Sequence, residues 1–353
     1  MTQMPNARSS IARSPGRTRG VKIAGTGSAL PSKIITNADL ERLMDTSDEW
    51  IVQRTGIRQR HVIDPSKGES MGSLAASALI TALNDARMRP EELDFIIIAT
   101  MTSHMACPPT ACQIAFDVGQ RMGGAVHCGA MDLSGACSGF VYGMNIAHDL
   151  IMGGAYRSVA LVGADTISEL MDYATSGRTT AIIFGDAAGA AIFRATDDPN
   201  LGILAQTMRS DGSGWKEIYV PRDEHDFPAK VAPEPEKIGR VQMNGASVFK
   251  FAVGTFPEII QETLDAAKLK PDDIDVYVCH QSNQRILHAA RDRFGLAPDK
   301  LYVNIDRVGN TVAASVPLCL DELRRAGRVK DGSRVMFVAF GGGLTWGTSL
   351  WQL

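Results

Sequence analysis

The chain has 353 residues, 44% hydrophobic and 21% charged, with a formal net charge of −3. That length can bury a sizeable core in two domain-sized halves. An acidic balance without a basic stripe argues against nucleic acid, and no apolar run approaches the ~18 residues of a membrane span.

Residues 1–20 carry four Arg and no acid, which leaves 32 basic against 39 acidic side chains, a net of −7, in the other 333. This stretch lacks helical periodicity and holds Pro5, Pro15 and Gly16, so a disordered basic tail is expected. Its Arg- and Ser-rich composition also fits an organelle transit peptide, the lesser alternative. The six cysteines, at 107, 112, 128, 137, 279 and 319, form no C-x-x-C pair. Metal-site and disulfide-scaffold spacings are missing, so a reducing cytosol is the expected compartment.

From Val21 onward, short apolar runs alternate with helical patterns. "VKIAGTGSAL", "DFIIIAT", "AVHCGAMDL", "RSVALVGAD", "TAIIFGDAAGAAIF", "DVYVCHQ" and "RVMFVAFGGG" read as strands. "MGSLAASALITALNDARM" and "ASVFKFAVGTFPEIIQETLDAAKL" read as helices. Alternation of this kind implies an α/β protein with mostly parallel sheets.

The chain also repeats itself. "LNDARMRPEELDFIIIAT" from Leu83 matches "LDAAKLKPDDIDVYVCHQ" from Leu264 without a gap. Basic residues align at Arg87/Lys268 and Arg89/Lys270, acidic ones at Glu91/Asp272 and Glu92/Asp273. A duplicated helix-turn-strand unit is expected, one copy in each half, 21–200 and 201–353. Residues 212–240, with four prolines and many charges, read as a surface excursion.

"SGACSGF", residues 134–140, places Cys137 in a small-residue turn between a strand and the helical pattern "FVYGMNIAHDLIM". Unpaired N–H groups at a helix start would favour the thiolate there. A free cysteine is also among the most buried residue types, so a core role competes. His280 ends the strand "DVYVC" in the half opposite Cys137, at the carboxyl edge where α/β sites gather. Taken alone, it reads as a structural histidine, and Asn310 in "RVGNTVAASVP" as a turn residue or cap. The run "FGGGLTWG" would let backbone approach a ligand closely, or serve a tight turn.

Together, "SDEWIVQRTGIRQRH", "SGACSGF", "IIFGDAAGA", "HQSN", "GNTVAASVP" and "AFGGGLTWG" resemble the β-ketoacyl-acyl-carrier-protein synthase III family, in family order from about Val21 to the C-terminus. The resemblance implies a thiolase fold, a duplicated five-layer αβαβα arrangement with mixed sheets. It implies an acyltransferase that condenses acyl-CoA with malonyl-acyl carrier protein to begin fatty acid synthesis. Cys137 matches the nucleophile, and His280 and Asn310 match the pair that holds the malonyl thioester carbonyl as it becomes an enolate. The N–H groups of Cys137 and Gly342 match the oxyanion hole. Thr46, Trp50 and Arg178 match CoA-binding positions, Lys250 and Arg285 the docking site for the carrier protein. A homodimer is implied, with no metal and no cofactor beyond the acyl-CoA substrate.

The chain departs from the family pattern in places. Cys107 stands where some members place a bulky Phe in the acyl pocket, so a primer longer or more branched than acetyl is expected. Leu344 stands at another acyl-pocket position where Phe is frequent, and Ser282 where Ala is frequent. The 212–240 excursion is longer than is common. A same-fold acyltransferase or atypical condenser of specialised metabolism is the alternative.

Overall fold

The computed structural model describes residues 11–12 and 18–353. Two five-stranded sheets are built to one plan. In the first, Phe95–Ala99 runs parallel to both Gly129–Leu133 and Ser158–Asp165; Ala187–Thr196 and then Gly20–Ala29 follow antiparallel. In the second, Val276–Cys279 runs parallel to Arg334–Gly341, and Thr345–Gln352 and then Gly202–Ser210 follow antiparallel. An isolated parallel bridge between Tyr277 and Leu301 marks the place that Gly129–Leu133 fills in the first sheet.

Helices cover each face. Met71–Asp85 and Thr110–Met122 pack outside the first sheet, and Gly245–Ala267 and Gln284–Phe294 outside the second. Gly139–Met152 and Ser315–Arg325 lie between the sheets. The result is the αβαβα sandwich. The period-2 pleat explains the continuous apolar runs: Ile96 and Ile98 join the outer cluster, while Ile97 and Ala99 join the central one. In the other half, Met336, Val338 and Phe340 point outward and Val335, Phe337 and Ala339 inward.

The sequence repeat is a structural one. Arg87 and Lys268, 181 positions apart, both take left-handed backbone at φ 51° and 57°. Arg89 N–H donates to Glu92 and Lys270 N–H to Asp273, each at 2.8 Å. Each turn then enters its sheet through a 3₁₀ turn at Pro90–Glu92 or Pro271–Asp273.

Several expectations need correction. The sheets are mixed, as the family resemblance implied, rather than mostly parallel as the strand–helix alternation suggested, because the outer strands of each pair antiparallel. "TAIIFGDAAGAAIF" is not one strand: Arg178–Ala181 is a helical turn, Ile182–Asp186 crosses the end of the sheet, and the strand begins at Ala187. Asp186 fastens the crossing by accepting from Ile63 N–H and Ser168 N–H. The strands Gly202–Ser210 and Thr345–Gln352 were not expected, since "TWGTSLWQ" continues a glycine run that reads as loop.

Disorder of 1–20 does not hold at Ile11–Ala12, which pair antiparallel with Gln206 and Ala205 and so satisfy an otherwise open sheet edge. Gly20 already belongs to a strand; residues 1–10 and 13–17 lie outside the described residues. The 212–240 stretch is a tethered surface layer of short 3₁₀ turns, with Ile218–Tyr219 paired to Gln242–Met243 and Phe227 buried. Among the described residues no helix is long and apolar enough to cross a membrane.

Candidate active site

Cys137 lies in a 3₁₀ turn, Ala136–Ser138, that runs directly into the helix Gly139–Met152. Ala136 takes the left-handed conformation at φ 46°, uncommon for a residue with a Cβ. Opposite it, Gly341 ends a strand so close that a Cβ there would lie 2.8 Å from Cys137 N. Only glycine admits this contact.

His280 extends the strand Val276–Cys279, its N–H donating to Val338 O at 2.8 Å. The ring is buried and meets Phe340 edge-on at 5.5 Å. Its Nδ1 lies 2.7 Å from Ser315 Oγ, which also accepts from Gln281 N–H at 3.3 Å. Among the described residues His280 Nδ1 is the acceptor within reach of the Ser315 hydroxyl proton, which assigns the ring proton to Nε2. Burial pushes the imidazole down to about 3, so the ring is neutral at physiological pH.

Asn310 follows Gly309, whose φ of +71° turns the chain out of the short helix Ile305–Val308. Its Oδ1 accepts from Val312 N–H at 3.0 Å. That contact leaves the carboxamide N–H₂ as its free donor.

These three residues converge on one cavity of about 610 Å³, where Cys137, His280 and Asn310 meet Gly342. Trp50 and Arg285 also line it. Trp50 stands on the helix Asp48–Thr55 with the Arg54 and Arg178 guanidinium groups each 5.6 Å from its ring. Arg178 is held by Asp45, and the nearby Thr46 hydroxyl is buried without a partner. Arg285 lies 5.0 Å over the Phe249 ring, beside exposed Lys250.

Thr46, Arg178, Lys250, Cys107 and Leu344 do not line this cavity. Cys107 is exposed on the single chain. Leu344 is buried against Gly214, whose hypothetical Cβ would meet it at 2.6 Å, so it packs beneath the excursion.

One electrostatic expectation is reversed. Burial, and secondarily the Asp165 carboxylate, push the Cys137 thiol up to about 12. The helix start does not offset the loss of water around a thiolate. Asp165 is itself raised to about 6 by burial, although it accepts from Met101 N–H at 2.8 Å and from Thr100 and Thr102.

Sequence reasoning missed Asp165 and Ser315. Ser315 lies inside the "GNTVAASVP" motif, but nothing local pairs it with a histidine 35 residues earlier. It also missed Ile182–Phe184 and Ile218 as cavity walls; Ser282, noted as a departure from the family pattern, brings to the same cavity a buried hydroxyl without a partner among the described residues.

A cysteine at a helix start, sharing a cavity with a histidine and an asparagine from the second half of a duplicated αβαβα sandwich, is the layout of a thiolase-fold condensing acyltransferase. Residues 131–212 match the family model for 3-oxoacyl-[acyl-carrier-protein (ACP)] synthase III, and 264–353 match the model for its C-terminal part. A beta-ketoacyl-[acyl-carrier-protein] synthase III from Caldanaerobacter subterraneus subsp. tengcongensis is 44% identical over 93% of this chain and 96% of its own. The crystal structure of the Aquifex aeolicus VF5 3-oxoacyl-[acyl-carrier-protein] synthase III superposes with a TM-score of 0.85 at 38% identity, covering 95% of this chain and all of that one. A priming beta-ketosynthase from the R1128 polyketide biosynthetic pathway gives 0.84 at 32%, over 96% and 98% of the two chains. The chain belongs to the 3-oxoacyl-[acyl-carrier-protein] synthase III family.

Proposed function

We propose that the protein condenses an acyl-CoA primer with malonyl-acyl-carrier protein to give a β-ketoacyl-carrier protein, CO₂ and CoA, the initiating step of fatty acid biosynthesis. The observation that carries this reading is the convergence of Cys137, His280 and Asn310 on one cavity, with His280 and Asn310 each pinned from behind.

In the first half-reaction Cys137 Sγ attacks the acyl-CoA carbonyl. The bond to the CoA sulfur breaks, and the thiol proton ends on CoA. Because burial keeps the resting thiol protonated, its proton is lost only as substrate arrives. The N–H groups of Cys137 and Gly342 donate to the oxyanion.

In the second half-reaction the malonyl thioester loses CO₂, and negative charge develops on its carbonyl oxygen. His280 Nε2–H and the Asn310 carboxamide donate to that oxygen. The resulting carbanion attacks the Cys137 thioester, and the released thiolate takes a proton. A neutral imidazole suits this donor role, since its proton is not given up. Two chemical halves sharing one thioester mean ping-pong kinetics.

Trp50 and Arg178, with Thr46 beside them, hold the CoA adenine. Lys250 and Arg285 form a basic patch that orients an acidic carrier protein. A homodimer is supported by the unpaired outer edge of Gly129–Leu133 and by exposed Phe116 and Met105 nearby in sequence. Cys107 in that region would leave a partner's acyl pocket wide enough for a long or branched primer. The six free cysteines suit a reducing cytoplasm.

The similarity to a polyketide-priming ketosynthase keeps a second reading open, condensation or acyl transfer in specialised metabolism. Intact mass of wild type and Cys137→Ser with C2–C12 and branched acyl-CoAs, followed by malonyl-carrier protein, tests both. An adduct on wild type alone, then CO₂ and a β-ketoacyl product, is the expected result. An adduct that passes to an alcohol or amine without malonyl turnover would favour the second reading, and no adduct would overturn the nucleophile.

A further inference from the structure

Arg60 is fully buried on the short strand Gln59–Val62, yet among the described residues its guanidinium makes no contact with a carboxylate. Its Nη2 donates to Ile182 O at 2.6 Å, and its Nη1 to Asn37 Oδ1 at 2.8 Å and Ile35 O at 3.3 Å. Asn37 is in turn fixed through Asp48 Oδ1 and Ile57 O, each at 2.8 Å. Among the described residues this buried cation meets only neutral acceptors and its Nε has no partner, a costly arrangement that directs attention to what it holds.

It holds the Ile182–Asp186 crossing. Asn310 is suspended from that crossing on both sides: its N–H donates to Ile183 O at 2.9 Å, and its C=O accepts from Gly185 N–H at 3.0 Å. Phe184 and Asn310 form an isolated parallel bridge.

The arginine stem completes the contact. A Cβ at Gly185 would lie 3.1 Å from Arg60 Cβ, and one at Gly309 would lie 3.2 Å from it. Two glycines, one on each side of the Asn310 pairing, thus close over a single buried side chain. The far end of the crossing is secured independently, with Asp186 N–H donating to His61 O at 2.8 Å.

We propose that Arg60 is the positioning residue for Asn310. Through the Ile182 carbonyl it fixes the Ile183–Gly185 segment from which the Asn310 backbone hangs, and so sets where the carboxamide meets the malonyl oxygen. This rests on reading Asn310 as an enolate donor. A purely structural arginine would support both half-reactions alike, whereas a positioning arginine serves the one that uses Asn310.

The test separates the halves in wild type, Arg60→Met, Arg60→Lys, Asn310→Ala and the Arg60→Met/Asn310→Ala double variant. Acylation of Cys137 by acyl-CoA is followed by rapid-quench mass spectrometry, and CO₂ release from malonyl-carrier protein is followed separately. Misplacement of one donor by about 1 Å costs roughly 10²-fold, so Arg60→Met should lose about that factor in CO₂ release. Its acylation rate should stay near wild type. Arg60→Lys, which offers a single ammonium in place of a fork, should lose less. The double variant should be hardly slower than Asn310→Ala, because the two changes remove one function.

Equal losses in both halves, an unchanged CO₂ rate, or losses that multiply in the double variant would each overturn the proposal. If Arg60→Met does not fold by thermal melt, Arg60→Lys and Asn37→Leu must show the same split in smaller measure, and their failure to do so counts against it. Wild type that is acylated yet releases no CO₂ would overturn the proposed condensation, and this inference with it. Wild type that completes both steps beside variants without a split would overturn this inference alone.

Discussion

Ser315 Oγ stands 2.7 Å from His280 Nδ1, joining a residue at the start of the central helix Ser315–Arg325 to the end of the strand Val276–Cys279. The contact fixes the ring's rotation and its tautomer together, and it leaves Nε2–H as the donor into the cavity.

Ser315→Ala should therefore act on the second half-reaction. It leaves a buried Nδ1 unsatisfied, at about 1–3 kcal/mol, or roughly 10- to 10²-fold in rate. CO₂ release from malonyl-carrier protein should fall by that factor, with acylation of Cys137 much less affected. Single-turnover rates of the two halves check it.

The Cys137 thiol should behave as a weakly acidic group. In the free enzyme its alkylation by iodoacetamide should rise steadily through pH 9, without a plateau near neutrality, because burial holds it at about 12. Asp165→Asn removes the charge behind it and should shift that profile to lower pH. A profile unmoved by Asp165→Asn would show that desolvation alone raises the thiol.

Stability should depend on pH through Asp165 and Asp186, both raised to about 6 from 3.8, chiefly by burial. Each raised carboxyl binds its proton more tightly in the folded chain. Its contribution is fully present below about pH 4 and is lost as pH climbs through about 6. Each is worth on the order of 3 kcal/mol across that window. The slope of unfolding free energy between pH 4 and 6, from urea titrations, should be reduced in Asp186→Asn.

Trp50 carries two guanidinium neighbours, drawn to the electron-rich face of its indole ring. Trp50→Ala should raise KM for acyl-CoA about tenfold, in line with a stacked base worth ~1–3 kcal/mol. KM for the acyl-pantetheine thioester, which lacks the adenine, should hardly move. Equal increases for both substrates would place the adenine elsewhere.

Much was legible before any tertiary contact was known. The ungapped match of Leu83 onward with Leu264 onward foretold two equivalent units, because the turn chemistry of Arg87 and Lys268 is local and is written in adjacent residues. Cys137, His280 and Asn310 were singled out through the family resemblance of their motifs, whereas taken alone His280 read as structural and Asn310 as a turn residue or cap. Strands that lack an apolar signature were not visible: Thr345–Gln352 is held by its neighbours on both sides.

Three matters belonged to the tertiary structure alone. Cys137 sits at a helix start as its sequence implied, but its proton affinity is a sum over everything that excludes water, and that sum reversed the expectation. Leu344 lies in a motif that touches the cavity, yet packs beneath Gly214, because the excursion that covers it begins 132 residues earlier. Arg60 and Asn310 are 250 positions apart, and no local pattern links them. The sequence by itself determined which groups are present and the local turns that carry them. Which groups face one another, and how dry they are, was decided only when both halves closed on a shared core, since burial and long-range hydrogen bonding are properties of the assembled chain.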